Sequence, residues 1–284
     1  MHMKVLFDIG GTKTRIALTE STDSFEDAII YPTPEDYNQA LNTFKTKVLE
    51  VLGDRQVSSL IGGVPASFNP EHTALVSGGP QIATWLNRTI IDDFSQLFGT
   101  PVHMANDAMM GGLAQAHFGP GKGYEIVVYL TVSTGVGGAR IINGKIDANR
   151  HGFEPGFQII DAESKSSEGK YNNRHLMSYI GGDFIEDTMG TKAENITDPV
   201  FWESAARILS VGINNACLFW SPDIVIVGGS IINDTTGISL ELVRQKLSDS
   251  IQGLAAPPPI EHAVFGDEMG LWGALAYANA YGVE

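Results

Sequence analysis

The sequence predicts an α/β protein with partly parallel sheets, and three observations carry that reading. Strand-like and helix-like stretches alternate along the chain. A strand, glycine turn, strand unit occurs near the start and again about half a chain later. The length, 284 residues at 43% hydrophobic, suits one large domain or two lobes of ordinary size.

Strands are predicted where β-branched or aliphatic runs meet glycine or turn residues: Val5–Ile9, Thr14–Leu18, Ser59–Val64, Val102–Ala105, Ile126–Val132, Ala139–Ile142 and Ile224–Val227. Helical spacing of apolar residues marks Tyr37–Leu52, Asp107–Phe118, Pro199–Trp220, Leu240–Ile251 and Leu271–Tyr281. Glu163–Gly169, rich in serine and charge, reads as a surface loop, and Ala255–Pro259 as a proline-rich connector. The chain enters a strand pattern directly after Met1-His2-Met3-Lys4, without a signal-peptide layout. No apolar run approaches the ~18 residues that a bilayer span needs, so no membrane association is expected.

Thirty-three acidic residues against 18 basic ones give a net charge of −15. So negative a chain repels phosphodiester backbones, and its basic residues do not cluster, so no nucleic-acid partner is expected. One cysteine, Cys217, lies in an apolar stretch. Alone it makes neither an internal disulfide nor a cysteine-rich zinc site, and it reads as core filler in a cytoplasmic protein.

The recurring unit points to chemistry. Val5–Thr12 runs through Asp8-Ile9-Gly10-Gly11-Thr12 into a second strand, and Val128–Gly138 runs through Ser133-Thr134-Gly135-Val136-Gly137-Gly138 into another. A tight glycine hairpin lets backbone N–H groups approach a phosphate, because no Cβ blocks the way. Two such hairpins suggest two lobes of similar design facing one nucleotide, although glycine turns are common in sheets of any kind. Asp8 stands at the end of a buried strand, where a carboxylate is costly without a cation. Thr12 and Lys13 add a hydroxyl and an ammonium at the same corner. Carboxylate, amides and lysine form the minimum set for a magnesium-bound nucleoside triphosphate. Other phosphate motifs fail: Gly121-Lys122-Gly123 lacks the Ser or Thr of a P-loop, and no Gly-x-Gly-x-x-Gly opens a helix after a strand.

Asn106-Asp107 is the second feature. A strand ends there and a helix begins, which is where α/β proteins put ligands. Asp107 also suits the plain role of helix N-cap, whereas Asn106 beside it offers a donor and an acceptor to a polyol.

Taken together with Pro222-Asp223-Ile224-Val225-Ile226-Val227-Gly228-Gly229, these motifs resemble, in order and over essentially the whole chain, those of the ROK family. That family comprises bacterial sugar kinases and related repressors. The resemblance implies a two-lobed actin-like ATPase fold, a duplicated ribonuclease H-like unit with a cleft between lobes. The lobes would be residues 1–106 and 107–268, with a closing helix at 269–284 packing back on the first. It implies that Asp107 is the general base for a sugar hydroxyl attacking the γ-phosphate of ATP. Asn106 and Glu154, in Gly152-Phe153-Glu154-Pro155-Gly156, would bind sugar hydroxyls. Gly10, Gly11, Thr12 and Lys13 would form the first phosphate loop, with Asp8 near magnesium, directly or through water. Thr134, Gly135 and Gly137 would form the second loop, and Gly228 and Gly229 would lie against adenosine. A homodimer is the family's habit.

The departures from the pattern fall in the sugar pocket. Phe157 stands where the family has histidine, the zinc-binding cysteines are absent, and His175 alone falls near one of their positions. Met177 replaces a downstream glutamate, and a Pro-Gly turn reads Pro65-Ala66. No zinc is therefore expected, and packing would hold the site, with Phe157 as an apolar plug. His151 is close enough in sequence to compensate, but reads better as a solvent-facing loop residue. The leading expectation is an ATP-dependent kinase of a hexose, glucose or fructose. The alternatives are a kinase of an N-acetyl amino sugar and a non-catalytic sugar or nucleotide sensor. The repressor reading is poor, because the first loop begins at Asp8 and the chain is acidic.

Overall fold

The computed structural model describes residues 2–163, 174–253 and 256–284. Most of the surface loop expected at 163–169, and the first residue of the expected connector at 255–259, lie outside them. The chain divides into two compact units. Unit 1 comprises Met1–Phe118, Gly144–Gly152 and Phe265–Glu284, and unit 2 comprises Gly119–Asn143 and Phe153–Val264.

Unit 1 holds β1 (His2–Ile9), β2 (Lys13–Thr19), β3 (Ile29–Pro32), α1 (Tyr37–Leu52) and β4 (Gln56–Val64). A short hairpin of β5 (Ala66–Phe68) and β6 (Leu75–Gly78) precedes α2 (Ile90–Phe98), β7 (Val102–Asn106) and α3 (Asp107–His117). The sheet order is β3-β2-β1-β4-β7. Strands β1, β4 and β7 run parallel, and the β1–β2 and β2–β3 pairs are antiparallel. The five-residue run Val5-Leu6-Phe7-Asp8-Ile9 is apolar but for Asp8 because both faces of the sheet are covered. On one face Phe7 packs among Phe44 of α1 and Phe94 of α2, with ring centroids 5.4 and 6.0 Å away. On the other, Leu6, Ala17 and Ile61 meet Leu271, Ala274, Leu275 and Ala278 of α8 (Met269–Tyr281).

Unit 2 repeats the order of elements. It holds β8 (Ile126–Val132), β9 (Val136–Ile142), α4 (Met177–Ile180), α5 (Gly182–Met189), α6 (Pro199–Trp220), β11 (Ile224–Gly228), α7 (Leu240–Ser250) and β12 (Ile260–His262). A two-residue strand β10 (Lys145–Ile146) follows β9 in sequence as β3 follows β2. Across the middle of this sheet the order is β9-β8-β11-β12, with β8, β11 and β12 parallel and β8–β9 antiparallel. The hairpin β8–β9 thus corresponds to β1–β2, and β11 and β12 to β4 and β7. Helices α6 and α7 pack on the face presented by Val128, Leu130, Val132, Val225 and Val227.

The division places α3 and α8 together in unit 1, with one boundary after Phe118 and a returning segment that begins at Phe265. The reason is packing. A Cβ on Gly273 of α8 would lie 2.1 Å from the carbonyl oxygen of Met110, so the two helices approach through bare backbone.

Cys217 is buried in α6, and burial pushes its thiol up to about 11. The folded value lies above the ordinary ~8.5, so its contribution to stability is complete below that pH and is lost as pH rises through 11. A thiol reagent at pH 7.5 is therefore expected to label Cys217 only after denaturant is added. Labelling of the native protein within minutes would show an open site.

Candidate active site

The glycine turn between β1 and β2 is closed by Gly10, whose N–H donates to the carbonyl of Lys13 at 2.9 Å. A Cβ on Gly10 would touch that same oxygen at 3.0 Å, so a side chain there is crowded. Thr12 and Lys13 are exposed beside the turn. Asp8 and Arg15 face each other across the β1–β2 ladder, with Arg15 Nη1 3.5 Å from Asp8 Oδ2 and Nη2 2.9 Å from Asp267 Oδ2. Asp8 shares its sheet face with Leu6 and so points toward α8. There a Cβ on Gly270 would lie 2.3 Å from the Asp8 carboxyl carbon. Burial pushes the Asp8 carboxyl up to about 6 against the opposing pull of Arg15, and Asp267 adds to the rise.

A group of that kind gains from a cation. Magnesium takes hard oxygen donors and keeps waters and phosphate oxygens for the rest of its shell, so one buried carboxylate beside a phosphate turn fits it. Among the described residues, no group of three or more His, Cys, Asp or Glu residues could hold a metal by itself.

At the end of β7 the structure refines the expected capping. Asn106 is the N-cap, its Oδ1 accepting from the Ala108 N–H at 2.9 Å, and Asp107 is the first helical residue. Asp107 is exposed, and its Oδ1 also accepts from Ala108 N–H at 2.8 Å. The plain N-cap reading of Asp107 thus gives way to Asn106. The start of α3 lies against β4 because Gly63 has no side chain, and a Cβ there would be 3.3 Å from the Asp107 Cα. Asn106 Nδ2 donates to the carbonyl of Ala66 at 3.3 Å, which brings the Pro65-Ala66 segment to the site.

In unit 2 the second turn carries Thr134, exposed at its tip, and Gly135, whose carbonyl accepts from Ser133 N–H at 2.9 Å. Gly137 follows on β9 and Gly228 ends β11. Gly229 has φ +102°, and a Cβ on it would lie 2.2 Å from the Val132 carbonyl oxygen, so the β11 turn packs directly on the phosphate-type turn. Sequence reasoning missed the other residues here. Gly182 N–H donates to Ser133 O at 2.7 Å, Asp183 N–H to Thr134 O at 3.0 Å, and Ser230 N–H to Ser133 Oγ at 3.1 Å. The adjacent glycines Gly181-Gly182, at the junction of α4 and α5, are the sequence signal that marks this contact. In unit 1 likewise, Gln81 lies over Gly11, its side chain 3.6 Å from where a Cβ would be.

Glu154 is exposed and precedes a 3-10 turn at Pro155–Phe157. Pro155 and Gly156 are buried on β9, where a Cβ on Gly156 would meet Val136 O at 2.2 Å. Phe157 does not plug its unit: it is 53% exposed and touches the ring of His175 edge-on, at 5.5 Å between centroids. The buried Gly156 fixes the turn so that the next side chain points outward. Met177 starts α4, and its methyl lies 3.2 Å from where a Cβ on Gly135 would be, so it lines the second turn. His151 is exposed in unit 1.

Residues 5–169 and 184–280 match the ROK family. The chain belongs to the ROK family. Among its relatives, a fructokinase of Zymomonas mobilis is 28% identical over 95% of this chain and 94% of its own. An N-acetyl-D-glucosamine kinase of Haemophilus influenzae is 27% identical over 95% and 97%. The structure of a ROK glucokinase from Streptomyces griseus, in complex with glucose and AMPPNP, superposes with TM-score 0.76 at 21% identity, covering 98% of this chain and 99% of that one. The two repeated α/β units are those of the actin-like ATPase fold found in this ROK structure. No helix among the described residues is long and apolar enough to cross a membrane.

Proposed function

We propose that this protein transfers the γ-phosphoryl group of magnesium-ATP to a hydroxyl of a hexose, glucose or fructose, with Asp107 as general base. The enzyme class rests on the family: the chain is an ATP-dependent carbohydrate kinase. The observation that carries the residue assignment is the exposed carboxylate of Asp107 on the first turn of α3, beside Asn106 at the carboxyl end of a parallel strand. A sugar hydroxyl is a weak acid, so its attack on phosphorus needs a base within hydrogen-bond reach. Asn106 keeps its amide directed toward Ala66 while its oxygen caps the helix. It thereby stiffens the strand end on which sugar and base meet.

In this reading Gly10 and Gly11 present backbone N–H groups to phosphate, with Thr12 and Lys13 adding a hydroxyl and a positive charge. Thr134, Gly135 and Gly137 form a second phosphate turn of the same kind, and Gly228 and Gly229 give adenosine a flat, side-chain-free surface. Magnesium, when bound, neutralises charge on the phosphates, and Asp8 would hold it directly or through a water. Glu154 supplies a further acceptor for sugar hydroxyls. A kinase of an N-acetylhexosamine is the second reading, favoured by the N-acetyl-D-glucosamine kinase among the relatives. The test is ADP release with magnesium-ATP over hexoses, N-acetylhexosamines and polyols. Turnover confined to one sugar class names the substrate, whereas none with any of them points to a sensor.

Zinc should be neither bound nor needed, because the family's thiolate ligands have no counterpart and Cys217 is buried in α6. Elemental analysis of purified protein is expected to give far less than one zinc per chain. Stoichiometric zinc, or a stability loss on mild chelation, would refute this.

A further inference from the structure

Among the described residues β7 is the last strand of its sheet, so one row of its backbone groups has no neighbouring strand there. The carbonyl of Met104, two residues before Asn106, is met by a side chain instead: His72 Nε2 lies 2.6 Å from it. A carbonyl only accepts, so Nε2 carries the proton and donates. His72 sits in the β5–β6 connection with φ +57°, a conformation uncommon for a residue other than glycine. Its ring stacks on Phe68 at 4.1 Å between centroids, with an interplanar angle of 19°. Its own N–H donates to Asn69 O at 2.9 Å, and the Asn69 side chain accepts from Thr73 and Ala74 N–H at 2.8 and 3.0 Å. The connection is thus wound so that the imidazole reaches the open strand edge. Left-handed backbone costs free energy that the surrounding contacts must offset.

Two tethers therefore join the β5–β6 hairpin to β7, one on each side of Ala105: His72 to Met104, and Asn106 to Ala66. We infer that His72 is a positioning residue, fixing the end of β7 so that Asn106 and Asp107 meet the sugar in register. Its role in turnover rests on the reading of those two residues given above, whereas the tether itself does not. Loss of the imidazole frees the strand edge and lets the hairpin swing, which displaces the base from the hydroxyl without touching the phosphate turns.

The variants that separate the hydrogen bond from the stacking are His72→Phe, which keeps the ring, and His72→Gln, whose Nε2 restores the donor. Hydrogen–deuterium exchange of the unliganded protein reads the tether directly over residues 104–109. Exchange there is expected to be about three- to tenfold faster in His72→Phe, the equivalent of one lost hydrogen bond, and near wild type in His72→Gln. Steady-state kinetics should show kcat/KM for the sugar falling ~10–100-fold in His72→Phe, the scale of a misplaced reacting group. KM for ATP should be unchanged, and His72→Gln should recover most of the loss. Unchanged exchange over 104–109 in His72→Phe would overturn the tether. Equal losses toward ATP and sugar, or no loss toward either, would overturn the positioning role. A wild-type enzyme that phosphorylates no sugar would sink the kinase reading while the exchange data still decide the tether.

Discussion

Asp107→Asn is expected to lower kcat by roughly 10²–10⁴, the usual worth of a positioned general base, with ATP affinity little changed. The substitution keeps the shape of the side chain and an oxygen that can accept from Ala108 N–H, as Asp107 Oδ1 does at 2.8 Å. The helix start should be unaffected in any case, since Asn106 is the cap. Thermal unfolding should therefore be close to wild type, and the loss should appear in the chemical step alone. The measurement is single-turnover phosphoryl transfer at saturating sugar and ATP, beside ATP binding followed by calorimetry. Near wild-type turnover would mean that another group takes the proton.

The second large effect is expected at Gly270→Ala, far from Asp107 in sequence. The added methyl would sit 2.3 Å from the Asp8 carboxyl carbon and 2.7 Å from its Cβ, so the whole short side chain has to move. Overpacking of this kind costs about 1–3 kcal/mol, which should lower the melting temperature without unfolding the protein. Its functional effect should be larger. Displacing the carboxylate by about 1 Å is worth ~10²-fold in rate, and the magnesium concentration for half-maximal velocity should rise. Asp8→Asn should raise the same magnesium requirement, whereas Asp107→Asn should leave it unchanged. A Gly270→Ala enzyme with a wild-type magnesium response would detach Asp8 from metal handling.

Much of the architecture was legible because its signals are local and strong. The central strands announce themselves by unbroken apolar runs, as in Ile126–Val132, and α1 and α6 by long amphipathic spacing; their bounds agree with expectation. Strand ends extend by a few residues, as at β1, because backbone pairing continues past the apolar stretch. The short elements were not seen. Strands β3, β5, β6, β10 and β12 have two to four residues each, too few for any periodicity. Helix α2 was missed although Ile90, Phe94 and the left-handed Gly99 mark its buried face and its end. Its nine residues fall just short of the length that separates a helix from a strand by pattern.

The site shows the same division. Asp8, Gly10, Gly11, Asn106 and Asp107 stand out in the sequence because each breaks a local rule: a carboxylate, an amide or a glycine pair at the end of an apolar strand. The residues that surround them in unit 1, Arg15, Asp267, Gly270, Gln81 and His72, come from elsewhere in the chain. Nothing local distinguishes them. Arg15 reads as an ordinary strand residue until the β1–β2 register sets it opposite Asp8. Phe157 was misjudged for a related reason: a large apolar residue suggests burial, whereas the close packing of Gly156 on β9 turns it outward.

The γ-phosphoryl of ATP is expected to go to a sugar hydroxyl and not to water. The direct measurement is product identity by phosphorus NMR after limited turnover with magnesium-ATP and the best sugar of the screen. One sugar phosphate ester is predicted for each ADP formed, with inorganic phosphate near background, and no ester from Asp107→Asn on the same timescale. ADP accompanied by inorganic phosphate alone, with no ester, would contradict it.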